Sequence, residues 1–404
     1  MSKLRQNISL SYIYNFFLQL NITSAIWVLY LAFKGMSLIE IGILESIYHI
    51  TGLIFEIPTG ALADMYGRKF CVVLGRIVCV ISCILMITSN SFLEFALAFI
   101  LSCAAMNLNS GAAEALVYDS LKELGEEEDY KRIWGELAFV MSIAQGIAVL
   151  LGGILSDIRF LYAYVFGMLV QIAALIISFN FSEPTHIKNR IEKSSDCNDK
   201  IKGKKSILSN LIYQIATTIN VLKVRKAVLY IIMFYAMADS LRTTVFFYGQ
   251  QYFSDMCYSK TVIAIICAAG SLIEAVSSKY AYIFEKRFKI KGTLISIAVL
   301  NIVALAGLSY IKKLSAAFFL LTSVSGGISF TIFSDYINAR IPSEHRATIL
   351  SFNSLCFSLF MICVFPLFGF LAQNISFSAT FGLMALLYIP IMVLLMIKLN
   401  DHKA

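Results

Sequence analysis

Ionisable side chains that interrupt long apolar runs are the groups in this chain able to do chemistry, and they recur at helical spacing. Glu45, His49, Gly52 and Glu56 stand at i, i+4, i+7 and i+11, on one face of a helix. A carboxylate one turn from an imidazole can pass a proton or hold a cation; the alternative is that Glu45 hydrogen-bonds into a packed helix pair. Glu56, near the end of its run, suits a gate better than a solute site. Asp239 and Arg242, at i and i+3, either neutralise each other as an internal ion pair or let Arg242 govern the protonation of Asp239 by favouring its charged form. Glu274 is a third acid at mid-run. Glu114 shares a helix face with Asn107, Ser110 and Gly111 about one turn from the end of its run, where a gating role fits. Charges inside apolar spans are expensive and are functional candidates for that reason. Glu45 is expected to exchange protons first, since His49 is one turn away and its run contains no Lys or Arg; Asp239 comes second and Glu274 third.

The elements that must position these groups are membrane helices. The chain has 404 residues, of which 59% are hydrophobic and 14% charged, with a mean hydropathy of +0.78. No soluble domain can bury that much apolar surface. Runs of roughly 20 residues, enough to cross a hydrocarbon core of ~30 Å as helix, fall at about 9–33, 38–58, 70–89, 92–117, 133–154 and 160–181, then at about 227–250, 259–283, 293–311, 314–336, 346–373 and 377–398. The expected fold is therefore all-α and integral to the membrane, with twelve transmembrane helices in two six-helix bundles, residues 1–181 and 227–404. Residues 182–226 between them are rich in Lys, Asn and Ser and read as a linker. Leu208, Leu211, Ile215, Ile219 and Leu222 follow one helical face there. They fit a helix lying on the membrane surface or a helical soluble linker equally well.

Lys and Arg set the expected orientation. With the N-terminus inside, Lys3, Arg5, Arg68, Lys69, Lys122, Lys131, Arg132, the basic linker, Lys286, Arg287, Lys289, Lys291, Arg340, Arg346, Lys398 and Lys403 are cytosolic. Only Lys34, Arg159, Lys260, Lys312 and Lys313 are outside. Both termini and the linker are thus expected in the cytosol of a cell-membrane protein. The net charge of +8 reflects this topology rather than a nucleic-acid footprint, and no nucleic-acid partner is expected. Seven of the nine cysteines lie in spans as small apolar groups, with neither disulfide nor metal spacing. No phosphate-cradling GxxxxGK[ST] loop is present, so no cofactor and no ATP hydrolysis by the chain itself are expected.

Between the second and third runs stands "EIPTGALADMYGRK", residues 56–69. "GALADMYGRK" resembles the G-x-L-a-D-r-x-G-r-k loop of the major facilitator superfamily, matching at Gly60, Leu62, Asp64, Gly67, Arg68 and Lys69, with Met65 in place of a basic residue. Its glycines permit a tight reversal and close helix approach. The resemblance implies a cytosolic latch: Asp64 pairs across the bundle interface and holds the outward-facing state, with Arg68 as its partner in the loop. A solvated turn is the alternative for the charges alone.

Internal repetition points the same way. "AYIFEKRFKIK" from Ala281 puts Glu285 at the place of Asp64 and Lys289 at that of Arg68. "GAAEALVYD", ending at Asp119, matches "GISFTIFSD", ending at Asp335. Two pseudo-symmetric halves follow, and the gate is assigned to Gly60, Asp64, Gly67, Arg68, Lys69, Glu56, Glu114, Asp119 and Glu285. Proton-coupled drug exporters of the superfamily often carry an arginine where this chain has Asn107. Gly135, Gly152 and Gly153 fit their fifth-span glycine motif, but Ala148-Val149 replaces its Gly-Pro. Export is favoured by this partial fit.

If spans one and seven face the centre, as the resemblance implies, Asn15, Gln19, Trp27, Tyr30, Asn107, Tyr235 and Phe246 line a polar and aromatic cavity, suited to an amphipathic, cationic solute. The expected function is alternating-access secondary transport of a small-molecule solute by a monomer in the lipid bilayer, with proton-driven export of drug-like or metabolite compounds first. Import of a small nutrient or lipid translocation is the alternative. An intramembrane enzyme would need a nucleophile and base constellation that four His, with only His49 well inside a span, do not provide.

Overall fold

The computed structural model describes residues 3–185, 226–341 and 343–401. The stretch assigned to the surface or linker helix lies outside the described residues. Regular structure among those described is helical: α1 (Lys3–Gln19), α2 (Trp27–Phe33), α3 (Leu38–Tyr66), α4 (Arg68–Thr88), α5 (Phe92–Leu124), α6 (Tyr130–Ile158), α7 (Phe160–Phe179), α8 (Lys226–Asp255), α9 (Lys260–Tyr310), α10 (Ser315–Arg340), α11 (Ser343–Asn374) and α12 (Phe377–Asp401).

Ten of these helices are long and apolar enough to cross a membrane. One of them, α9, has 51 residues and would be about 75 Å long as straight helix, more than twice the hydrocarbon thickness. It breaks at Lys289, the single residue with non-helical dihedrals (φ 56°, ψ 173°), and so provides two crossings. The first span is shared by α1 and α2. Ten helices, the second crossing of α9 and the divided first span together account for the twelve crossings read from the sequence.

Two elements differ in detail from the sequence reading. The first span is interrupted over residues 20–26 rather than continuous. Tight local bonds such as Ile22 N to Leu20 O at 3.0 Å replace the helical ladder there. Gly152 of α6 admits the displaced chain, for a Cβ at that position would sit 2.0 Å from the Ile22 carbonyl oxygen. Second, the reversal expected over residues 59–69 contracts to one residue. Helix α3 continues through Pro58 to Tyr66, and the chain turns at Gly67 (φ 98°, ψ 162°), in backbone space open to glycine. Gly60, by contrast, lies within α3, where an added Cβ would meet nothing within 4 Å among the described residues.

Contacts divide the chain into two compact units, one of residues 1–27 and 47–210, the other of residues 28–46 and 211–404. In the first, α4 runs along α5 and α7; in the second, α9 runs along α10, and α8 along α11. Residues 28–46 therefore pack with the second unit although they precede it by most of the first. The reason is a close seam. A Cβ on Gly42 would lie 2.6 Å from Pro366 Cα, one on Gly369 would lie 2.3 Å from Leu38 O, and Tyr248 donates to Leu38 O at 2.8 Å. Pro366 inside α11 has no N–H for the carbonyl four residues back. Ser46 Oγ donates to that carbonyl, Ile362 O, at 3.0 Å, which fills the vacancy in a medium without water to do so.

Candidate functional site

Two polar constellations are built into the helices. In the first unit, Gly67 and the start of α4 organise the loop charges. Arg68 reaches Asp64 at 3.2 Å and Asp119 of α5 at 3.7 Å. The segment after α7 supplies a group that sequence reasoning missed: the Glu183 carboxylate accepts the backbone N–H of Arg68 at 2.7 Å and of Lys69 at 2.8 Å. It thereby satisfies two of the unpaired donors of a helix start. A Cβ on Gly67 would meet Glu183 Cδ at 2.8 Å, so this glycine serves both the turn and the carboxylate. Burial pushes the Glu183 carboxyl above its usual range, against the lowering by the two N–H donors and Arg68. Of the other gate candidates, Glu114 accepts from Tyr130 at 2.8 Å, Glu56 is exposed, and Glu285 is half-buried near the Lys289 break.

In the second unit, Arg242 of α8 sits between two carboxylates. Its Nε and Nη2 donate to Asp239 Oδ1 at 3.0 and 2.8 Å, and its Nη1 donates to Glu274 Oε2 of α9 at 3.2 Å. The side chains keep 23%, 24% and 34% exposure for Arg242, Asp239 and Glu274. Space for the guanidinium comes from α10: a Cβ on Gly326 would lie 2.6 Å from Arg242 Cδ, and one on Gly327 2.2 Å from Glu274 O. Tyr235, one turn before Asp239, stacks on Phe333 with centroids 4.1 Å apart. Two carboxylates against one guanidinium leave a net charge of −1 when all are ionised, and the arrangement can take up a proton or a monovalent cation.

The family model for the Major Facilitator Superfamily matches residues 8–352 and 254–404. The chain belongs to this superfamily. It is thus a multi-pass membrane transporter and not an enzyme. The overlap of the two matches accords with an internal repeat. The chain is similar to the MFS-type transporter YxaM of Bacillus subtilis, with 25% identity, over 96% of this chain and 95% of that one. It is similar to the inner membrane transport protein YajR of Escherichia coli, with 30% identity, over 40% of this chain and 35% of that one. Among solved structures, the nucleoside transporter NupG superposes with a TM-score of 0.72 at 13% identity, covering 98% of this chain and 99% of NupG. A D-xylose-proton symporter does so with a TM-score of 0.67 at 13% identity, covering 96% of both chains. These superpositions fix the fold as that of the superfamily.

Within this superfamily member, the remaining sequence candidates fall in several places. Glu45 is 8% exposed on the part of α3 that packs with the second unit, whereas His49, one turn on, is half-buried and its ring meets that of Tyr48 edge-on at 5.8 Å. Asn15 donates to Ser11 O of its own helix at 2.8 Å, and Gln19 lies 3.9 Å from Met141 Sδ. Asn107 donates to Gly52 O at 3.0 Å and ties α5 to α3. Trp27 meets Phe99 edge-on at 5.6 Å. Tyr30 is 4% exposed with the Lys34 ammonium 5.8 Å from its ring centre, and Phe246 stacks on Phe319 at 6.2 Å. The structure brings Tyr235 to the arginine triad but leaves the others at separate helix contacts.

Two further features escaped the sequence reading. Arg76 of α4 is 4% exposed, donates to Gln171 at 2.7 Å, and leaves its Nε without a hydrogen-bond partner among the described residues. Its signal was plain in retrospect: a lone arginine inside an apolar run. At one end of α5 and α6, the Tyr130 ring stacks on Trp134 at 5.9 Å and meets Tyr118 edge-on at 5.3 Å. Glu114 lies on the Tyr130 hydroxyl, and Glu136 accepts from Tyr12. Aromatic faces beside carboxylates suit an organic cation.

Proposed function

We propose that the chain is a proton-driven exporter of drug-like or metabolite solutes, working as a monomer by alternating access in a cytoplasmic membrane, with both termini and the linker in the cytosol. The observation that carries the coupling is Arg242 shared between Asp239 and Glu274. Asp239 receives two of the three hydrogen bonds and Glu274 only the longest. Glu274 is therefore the carboxylate whose contact is most easily exchanged for a proton or a cationic solute. It takes precedence over Glu45, whose helix segment is locked into the Gly42–Pro366 seam. The solute class is an amphipathic cation, supported by the Tyr118, Tyr130 and Trp134 rings beside Glu114. The gate is the Asp64–Arg68–Asp119 group, with Glu183 as its anchor.

Reconstitution in proteoliposomes under an imposed pH gradient tests the coupling. Glu274→Gln is expected to abolish uphill solute movement while downhill exchange persists. Full proton-driven transport by Glu274→Gln, together with an inactive Glu45→Gln, would move coupling to α3.

A further inference from the structure

Helix α4 carries an unused donor beside a pair of thiols. Arg76, Cys79 and Cys83 stand at i, i+3 and i+7, on one face of the helix, and they meet Gln171 of α7, which α4 runs along. Gln171 Oε1 accepts from Arg76 Nη1 at 2.7 Å and from the Cys79 thiol at 3.7 Å. The Cys83 thiol, one turn on, hydrogen-bonds in turn to Cys79. A line of donors thus runs from Cys83 through Cys79 to the amide oxygen, where the guanidinium meets it.

This arrangement does not balance Arg76. The residue is 4% exposed near the middle of a 21-residue helix, where an isolated charge is unfavourable. Among the described residues it joins no ion pair, and its Nε–H has no acceptor. The Tyr14 hydroxyl beside it donates to Asn109. Because a guanidinium has donors only, the missing group is an oxygen placed next to the two sulfurs. Cys79 and Cys83 are also the only two of the nine cysteines spaced one helical turn apart, and both are partly exposed.

We propose that Arg76, Cys79 and Cys83 form a binding site for a trivalent arsenical, with arsenous acid as its simplest member. Two As–OH groups are exchanged for thiols: each S–H proton leaves with one hydroxyl as water, two As–O bonds break, two As–S bonds form, and arsenic stays trivalent. The third oxygen remains on arsenic and accepts the Nε–H of Arg76. Thiol sulfur is the soft ligand that such a centre prefers. Its pyramidal geometry needs two sulfurs in contact, as in the hydrogen-bonded pair. A linear mercuric dithiolate needs them farther apart and brings no oxygen to Arg76. Arsenous acid is uncharged at neutral pH, so its entry into an apolar bundle carries no cost of burying an ion. The inference stands apart from the coupling triad and from the direction of transport.

Native mass spectrometry of the full-length protein in detergent, kept reduced by a thiol-free reductant, tests it with arsenite and with phenylarsine oxide. Each is expected to add a single arsenic, and X-ray absorption of the arsenite adduct should show two sulfur neighbours and one oxygen. Cys79→Ser and Cys83→Ser should each abolish both adducts. Phenylarsine oxide gives up its oxygen as water on binding two thiols and leaves none for Arg76. Arg76→Met should therefore weaken arsenite binding by about tenfold to a hundredfold, the worth of a hydrogen bond from a charged donor, and leave phenylarsine oxide binding unchanged. No arsenic on the wild-type protein, an adduct of wild-type strength in either cysteine variant, or the same effect of Arg76→Met on both ligands would overturn the proposal. Should Arg76→Met fail to fold, the absorption spectrum decides, and an arsenic bound by three sulfurs or by oxygen alone does so.

Discussion

At the residue scale, Arg242 is one guanidinium serving two carboxylates in an apolar bundle, so removing it strands both acids. Arg242→Met is expected to lower stability by about 3 kcal/mol, the low end for breaking an internal ion pair, because the three side chains keep partial exposure. Adding Asp239→Asn and Glu274→Gln to it should restore most of the loss. Thermal unfolding of the two variants is the check, and equal losses in both would refute the shared-arginine reading. Glu183 carries a pH signature. Its carboxyl is raised above the ordinary 4.5 by burial, so the folded state keeps a proton that the unfolded chain has released. That contribution to stability is present below the unfolded value and declines as pH rises through the raised folded value. Glu183→Gln is expected to flatten the Tm profile above the unfolded carboxyl value, and parallel profiles for the two proteins would contradict the assignment.

At the element scale, prolines and glycines read as punctuation in the sequence, yet several sit inside continuous helices. Helix α3 runs through Pro58 and α11 through Pro366; in α11 a neighbouring side chain takes over what the proline leaves unbonded. Ser46 does this for the Ile362 carbonyl. Ser46→Ala is expected to cost about 1–3 kcal/mol, the penalty for an unsatisfied polar group away from water, whereas Thr at this position should retain most of the stability. Thermal unfolding of both variants measures the difference, and equal stability of the Ala and Thr forms would show that the hydroxyl is dispensable. The glycines of the same seam act by what they lack: Gly42 and Gly369 leave room for Pro366 and for the Leu38 carbonyl, which is how a short stretch of α3 comes to lie against α11.

At the scale of the whole molecule, charges proposed to form a gate would act through the states they favour. Asp64→Asn is expected to leave insertion and folding nearly intact, since Asp64 is 54% exposed and exposed pairs contribute about 0–1 kcal/mol. It should lower turnover and shift accessibility toward the inside-open state. Site-directed labelling together with transport assays checks both effects, and wild-type labelling with wild-type turnover would remove Asp64 from the gate. On the proposed reading Asp64 acts on the cycle, whereas Glu183 holds the backbone of the loop that presents Asp64 and Arg68.

Class and outline were legible in the sequence. Apolar runs of bilayer length at regular intervals leave no soluble alternative, the loop of residues 60–69 carries the resemblance, and helical spacing places Asp239 beside Arg242 because both lie on one helix. Which distant groups meet became visible only in the folded chain. Glu274 joins Arg242 across 32 residues and Glu183 reaches the Arg68 N–H across 115; Glu274 stood out as an acid inside an apolar run, but no local pattern names its partner, and none marks Glu183. The break within the first span and the allegiance of residues 28–46 were equally hidden. Periodicity reports which face of a helix is polar, but not the register in which two helices touch. That register is set by close contacts such as Gly326 on Arg242, Gly152 on Ile22 and Gly42 on Pro366, where the absence of a side chain on one helix admits a particular group of another.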